Sequence, residues 1–433
     1  MENGTRLEIK TKKGDSFTGI LMPSSDPKII SLKLDSGYNI GLDKKNIKEI
    51  KEKAKEKEQE IKTKEEKTEI NPKLKTITIL HTGGTVASKV NYKTGAVAPG
   101  FNPQDILNMF PELGSIANIK SRLVKNMFSG DMRFSHHNLI AKEIEKEIRS
   151  GVDGIIVTHG TDTLAFTAAA LTFALENLTR PVLLVGAQRS SDRPSSDAAL
   201  NLICAVQFIA HTEFNEVGIC MHANSADDAC VILPSLRTKK LHSSRRDAFK
   251  SINTLSIAKV TREGKIEFLE QYHKKEHKEK LKLKLFNEKL KIGVLKAHPN
   301  LCKEEIKMFA KFDGLIIEGT GLGHISVNHI DELTKENALI LKEITLLSKK
   351  IPVVMITQCI FGRVNMNIYQ YGRELQKAGV LGNLNDLTFE TAFIKLAWIL
   401  SNVKKTEVRE AMMKDVRGEN SKRIVYEENN DVE

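Results

Sequence analysis

No uninterrupted apolar run of about 18 residues, the length a membrane-spanning helix needs, occurs anywhere in the 433-residue chain. Residues 1–13 lack the apolar core of a signal peptide, so the expected location is the cytoplasm. The five cysteines, Cys204, Cys220, Cys230, Cys302 and Cys359, are odd in number and nowhere spaced C-x-x-C. That argues against a disulfide framework or a zinc knuckle and for reduced thiols. A G-x-x-x-x-G-K-[ST] loop is missing as well, so no ATP site is expected in this chain. Tryptophan occurs once, and acidic residues are outnumbered: 55 Asp plus Glu stand against 66 Lys plus Arg, a formal charge of +11. An excess of that sign attracts polyanions, nucleic acid among them. At about 150 residues per domain the length suggests about three folded units.

Residues 1–50 alternate short apolar runs with turn signals. Arg6 to Thr11, Phe17 to Met22, Ile29 to Leu34 and Tyr38 to Leu42 are separated by Lys13-Gly14-Asp15, by Pro23 to Pro27 and by Asp35-Ser36-Gly37. Short strands with tight turns predict a small antiparallel barrel. From Lys51 to Glu69 there are seven Lys and seven Glu in nineteen residues, with Ala54 and Ile61 the only apolar side chains. This predicts a charged linker over 51–72.

Beyond it the pattern becomes strand, helix, strand. Ile77 to Leu80, Gly154 to Val157, Val182 to Val185 and Val217 to Met221 read as strands buried on both faces. Residues 136–149 place Ile140, Ile144 and Ile148 on one helical face and stop at Gly151, and a second helix follows Asp162 with Leu164, Ala168, Leu171 and Leu175. The alternation restarts at Ile292 to Leu295, Leu315 to Ile317 and Val353 to Ile356, after a Lys-rich stretch. The predicted layout is a larger α/β domain over 73–275, a linker over 276–290, a smaller α/β domain over 291–412 and a polar, fraying tail over 413–433.

In such sheets ligands bind beyond the carboxyl ends of the strands. Three loops there are rich in hydroxyls and glycine: His81-Thr82-Gly83-Gly84-Thr85, Thr158-His159-Gly160-Thr161-Asp162-Thr163 and Gly186 to Asp192. Singly, each can be no more than a helix cap. Together they can present a nucleophile, because a threonine hydroxyl becomes reactive when a base or proton relay serves it. Asp162 with a lysine, Lys239 or Lys240, could form that relay.

The stretch Thr82-Gly83-Gly84-Thr85-Val86-Ala87, with Thr158 to Thr163, resembles the two signature motifs of the bacterial-type L-asparaginase and glutaminase family. They stand in family order, and the resemblance runs from about Lys73 to about residue 410. It implies two α/β domains with parallel sheets covered by helices on both faces. It implies Thr85 as the nucleophile on a side-chain amide carbon, with Tyr92 on a lid loop assisting its deprotonation. Thr161, Asp162 and Lys240 would form the second catalytic group, Thr161 and Asp162 also binding substrate, the latter at the α-ammonium. Ser129 would grip the α-carboxylate, and Gly84 would lend backbone to the oxyanion site. Gly130 departs from the family, where many members carry a polar substrate-gripping residue.

Residues 1–72, and the run His242-Ser243-Ser244-Arg245-Arg246-Asp247-Ala248-Phe249, are similar to features of D subunits of archaeal-type glutamyl-tRNA(Gln) amidotransferases. That resemblance implies a chain that releases ammonia from L-glutamine for a partner, the amidotransferase E subunit, which converts Glu-tRNA(Gln) with ATP and magnesium. It implies no cofactor in this chain and a homodimer within a heterotetramer. A free-standing cytoplasmic L-asparaginase is the alternative, and a silent RNA-binding scaffold a third. Two further patterns carry little: Gly319-Thr320-Gly321-Leu322-Gly323-His324 lacks the third glycine of a dinucleotide fingerprint, and His273-Lys274-Lys275-Glu276-His277 matches H-x-x-E-H inside a lysine run that repels a metal cation.

Overall fold

The structure, a computed structural model, describes residues 2–24, 26–34, 39–53, 71–84, 88–90, 97–99, 110, 112–189, 196–270, 272, 274–276 and 279–424. At the N-terminus the strands Arg6–Thr11, Ser16–Met22, Ile29–Leu34, Asn39–Asp43 and Ile47–Glu52 form an antiparallel sheet in the order fourth, third, second, first, fifth. Its small core is Leu7, Ile9, Leu21, Ile30 and Leu32. The fifth strand escapes the sequence pattern because Ile47-Lys48-Glu49-Ile50-Lys51-Glu52 does not alternate; an edge strand paired on one side tolerates charge there. The linker expected over 51–72 thus begins inside this strand, and its residues 54–70 lie outside the described residues.

Among the described residues the large sheet has eight strands. Five run parallel in the spatial order Val217–His222, Val182–Val185, Gly154–Thr158, Thr76–Gly83, Asn118–Met127. Period two then sorts their side chains: Ile155, Val157, Val182 and Leu184 enter one core, Ile156, Leu183 and Val185 the other, as expected when helices cover both faces. Helices Phe134–Arg149 and Leu164–Ala174 cover the first face, and Ala198–His211 the second.

The remaining three strands correct the expectation of a parallel sheet. Ala229–Pro234, Ala258–Thr261 and Ile266–Phe268 continue it antiparallel from Val217–His222. Residues 223–228 are too few for a crossover helix, and a connection that short joins antiparallel neighbours.

The second sheet, Ile292–Lys296, Gly314–Gly319 and Val353–Thr357, is parallel throughout. Helix Phe389–Asn402 joins it to the first, its Ile394, Leu396 and Trp398 sharing a core with Leu164–Ala174. Phe166 meets Phe389 and Phe393 edge-on, and Phe173 lies 5.6 Å from Trp398. Full burial of a side chain this size, as at Phe173, contributes about 1.5–3 kcal/mol.

Two segments expected to be loose are fastened. Within the predicted linker 276–290, Lys282–Leu283 pairs with Leu175–Glu176, and Asn138 brackets Phe286 with two hydrogen bonds of 2.8 Å to its backbone N–H and carbonyl. The tail does not fray through its first half. Glu419 is fully buried, its carboxylate 2.6 Å from Nζ of the equally buried Lys395. The Arg237 guanidinium donates to Asp386 and to the Glu419 carbonyl, and the Arg417 guanidinium lies over the Trp398 ring. Lysine surrounded by Ile394 and Leu396 gives no hint in sequence that a glutamate from the tail will neutralise it.

Candidate active site

Strands Thr76–Gly83 and Gly154–Thr158 are parallel neighbours, with His81 opposite Thr158, so the two glycine-rich loops leave the sheet side by side. The Thr82 hydroxyl donates to the Thr158 carbonyl at 2.8 Å and ties their bases together. Glycine then permits contact between backbones. A Cβ on Gly84, which has φ +80°, would fall 2.5 Å from the Gly160 nitrogen. One on Gly160 would fall 2.7 Å from Cβ and Oγ of Ser129. Three segments that are remote in sequence, ending at Gly84, Gly160 and Ser129, therefore meet at one point. The Thr163 hydroxyl adds a 2.7 Å bond to the Ser129 carbonyl.

The lysine comes from elsewhere. Thr238–Lys240 pairs antiparallel with Phe249–Ser251, closed by the Leu241 N–H donating to the Ala248 carbonyl at 2.7 Å. This hairpin delivers Lys240 Nζ to 2.9 Å from both Thr161 Oγ1 and Asp162 Oδ1. The lysine side chain is 17% exposed and that of Asp162 55%, so the carboxylate faces solvent while the ammonium is held beneath it. Residue spacing alone left Lys239 and Lys240 undecided, and only the family resemblance implied Lys240. The structure separates them: Lys239, its neighbour on a strand, points oppositely and pairs with Glu390 at 2.9 Å.

A row of buried histidines supports the loop 158–163. His159 Nδ1 is 2.7 Å from the Gly160 carbonyl, which only accepts, so Nδ1 carries the proton and Nε2 accepts from the Thr167 hydroxyl at 2.9 Å. That hydroxyl, its hydrogen spent, accepts from His137 Nε2 at 3.3 Å. Burial pushes His159 down to about 4 and His137 down to about 3. His81, bonded to Thr158 Oγ1 and Ser121 Oγ, is pushed down to about 4 by the same cause. All three are neutral near pH 7, a fixed polar floor. Nothing in the sequence signalled these roles beyond the place of His81 and His159 inside the two glycine-hydroxyl loops.

Of the residues singled out in sequence, the structure brings together Gly84, Ser129, Thr161, Asp162 and Lys240. Thr85 and Tyr92 lie outside the described residues, as do His273 and His277 of the H-x-x-E-H match. Gly130 is occupied territory: a Cβ there would fall 2.5 Å from the Phe128 ring, so the missing side chain makes room for that aromatic. The run 242–249 folds onto the end of the sheet, with Arg245 forked onto Asp247 at 3.0 and 2.7 Å and Arg246 bonded to Asp227 and to the Ser225 carbonyl. Gly319 to His324 closes on itself through a Thr320–His324 bridge instead of opening a helix, so it has no dinucleotide-binding architecture.

Arranged this way, the site can hold a small zwitterion. Asp162 is an anion for an ammonium, the backbone at Gly84 and Gly160 approaches a ligand without Cβ obstruction, and Lys240 links a hydroxyl to a carboxylate for proton transfer.

The chain matches the Asparaginase, N-terminal model over residues 76–274, the Glutaminase/Asparaginase C-terminal domain over 291–413 and the GatD N-terminal domain over 1–52. It is 43% identical over 425 residues to the D subunit of the glutamyl-tRNA(Gln) amidotransferase of Pyrococcus furiosus, covering 95% of this chain and 93% of the relative. It is 42% identical to that of Methanococcus maripaludis strain C6, covering 98% of each. Among solved structures, the thermostable L-asparaginase from Thermococcus kodakarensis superposes with a TM-score of 0.69 at 30% identity, covering 80% of this chain and 99% of that one.

Proposed function

Because the chain belongs to the family of glutamyl-tRNA(Gln) amidotransferase D subunits, whose catalytic part is an asparaginase-type amidohydrolase, we propose that it hydrolyses L-glutamine with Thr85 as nucleophile. The ammonia passes to a partner, the amidotransferase E subunit, which uses ATP and magnesium to convert Glu-tRNA(Gln) to Gln-tRNA(Gln). The observation that carries this reading is the lysine held 2.9 Å from both Thr161 and Asp162 on the loop that touches Gly84.

Thr85 follows Gly84 directly in the chain, and Gly84 is where the three segments meet. The Thr85 oxygen attacks the glutamine carboxamide carbon as its proton leaves through the Thr161–Lys240–Asp162 relay, with Tyr92 assisting. The tetrahedral oxyanion is held by backbone N–H groups of the two glycine loops; losing one such donor typically costs about 3 kcal/mol. The C–N bond breaks, ammonia departs with a proton returned through the relay, and a γ-glutamyl ester of Thr85 remains. Water, deprotonated by the same relay, cleaves the ester and releases glutamate. Asp162 and Ser129 hold the α-ammonium and α-carboxylate.

No described helix is long and apolar enough to cross a membrane, and the proposal is of a cytoplasmic enzyme, a homodimer within a heterotetramer. The test uses the chain with the E subunit and tRNA. Thr85→Ala abolishes glutamine-dependent amidation, and ammonium chloride restores it; continued use of glutamine by this variant overturns the nucleophile. Rapid asparagine turnover by the chain alone, unaltered by partner or tRNA, identifies a free-standing L-asparaginase instead.

A further inference from the structure

The three strands of the second sheet run in one direction, so the residues that precede them collect at one edge. Lys291 stands immediately before Ile292, Lys311 shortly before Gly314, and Lys349 with Lys350 shortly before Val353. Helix Phe389–Asn402 ends at the same edge: Leu400 and Val403 share a cavity with Phe312 and Pro352, which brings Lys404 and Lys405 beside it. All six lysines are exposed. None has an ion-pair partner among the described residues, whereas Lys303, Lys307 and Lys414 of the same sheet's helices are paired with Glu336, Glu343 and Glu410.

Helix ends explain part of this. Lys335–Ser348 and Phe389–Asn402 both point their carbonyl termini here, and cations are favoured there. Two helix ends amount to about one negative charge between them, which does not offset six lysines. Asp313 is the acid lining the cavity; its carboxylate accepts the Lys291 backbone N–H at 2.8 Å. The cavity holds about 460 Å³, with Leu290, Phe312, Pro352 and Leu400 as apolar wall and Lys349, Lys350, Lys405 and Arg409 around it. Cations gathered at one edge attract phosphates, and a hollow of this size with an apolar wall on one side admits an unstacked base.

We propose that this edge binds RNA: the lysines hold backbone phosphates of a tRNA, and the hollow receives one of its unpaired bases against Phe312. The choice of RNA rests on the tRNA-dependent function proposed for the chain, and the choice of place on the unpaired charge.

The test titrates a fluorescently labelled tRNA transcript with the full chain at several potassium chloride concentrations. K349E/K350E/K404E/K405E binds at least about tenfold more weakly, and the slope of log affinity against log salt falls by about 3, since each phosphate contact contributes about 0.7–0.9. The corresponding four Lys→Gln substitutions give the same direction with smaller size and guard against misfolding by the reversed charges. Phe312→Leu lowers affinity several-fold without altering the slope, because stacking is insensitive to salt. Unchanged affinity and slope in both lysine variants overturn the proposal. So does equal binding by wild-type protein of poly-L-glutamate or of phosphatidylserine vesicles, which would make the edge an acidic-protein or lipid surface. Ammonia release from glutamine is followed on the same samples: none from the wild type counts against the amidohydrolase reading alone, and normal release with unaltered tRNA binding by the variants counts against this surface alone.

Discussion

Two lysine–carboxylate pairs sit at opposite extremes of the same molecule. Lys240 meets Asp162 at 2.9 Å with the carboxylate half in water, and Lys395 meets Glu419 at 2.6 Å with neither reached by solvent. The first pair bridges a hairpin and a loop and shares its ammonium with a threonine hydroxyl. In the second pair the lysine also donates to the Lys414 carbonyl, while the glutamate accepts backbone N–H groups of Val416 and Arg417. An exposed pair contributes little to stability, commonly about 0–1 kcal/mol, and is free to exchange protons with a substrate. A buried pair is costly to break because the remaining charge has no water to turn to. One is suited to chemistry, the other to fixing the tail against helix Phe389–Asn402.

Mutation can break that contrast. Lys240→Met should lower kcat for glutamine by roughly 10³–10⁴, about 4–5.5 kcal/mol, as relay and substrate anchoring fail together. Its urea unfolding midpoint should stay close to wild type; a large loss of stability with little loss of turnover would reverse the assignment of the two pairs. Glu419→Ala should do the opposite, losing about 3–5 kcal/mol in denaturant titration by stranding Lys395. The pair Lys395→Met with Glu419→Leu should recover most of that, while kcat at low temperature stays near wild type in both.

Smaller effects sharpen the picture around the active loop. Gly84→Ala places a methyl against Gly160 at a positive φ, which should cost about 1–3 kcal/mol and raise KM as the loops separate. The buried histidines give a pH signature. His159 and His137 have values of about 4 and about 3 in the folded chain, against an ordinary 6.5 when unfolded. The folded state therefore binds fewer protons than the unfolded chain between those values. Their contribution is complete above about pH 6.5 and is lost as pH falls toward about 4 for His159 and about 3 for His137, by at most about 1.4 kcal/mol per pH unit for each. His159→Asn should flatten that slope in denaturation midpoints between pH 4 and 6.5; an unchanged slope would show that His159 does not titrate between the two states.

Much of the chemistry was legible before any fold was known, because the site is built from short contiguous motifs. Two loops of five and six residues contain Gly84, Gly160, Thr161 and Asp162, and parallel strand pairing brings their bases together without further information. Lys240 was legible only through the family resemblance: spacing cannot tell two adjacent lysines apart, and it is the strand Thr238–Lys240 that turns one to Asp162 and the other to Glu390. Ser129 was legible only through the family resemblance, since it lies outside both glycine-hydroxyl loops, and Gly130 read as a loss although Phe128 fills its place. The three antiparallel strands of the large sheet, the anchored tail and the strand Ile47–Glu52 were missed for one reason: their patterns are set by partners distant in the chain.

The sequence by itself determined the period of each strand and helix, the identity of the two glycine-hydroxyl loops and the excess of positive charge, since these depend on residue types within a few positions of one another. Only the tertiary structure decided how Lys240 is turned to Asp162 while Lys239 is turned to Glu390, which glutamate neutralises Lys395 and where the unpaired lysines gather. Those outcomes depend on chain segments far apart meeting within hydrogen-bonding reach, and the preferences of single residues say nothing of which segments will meet.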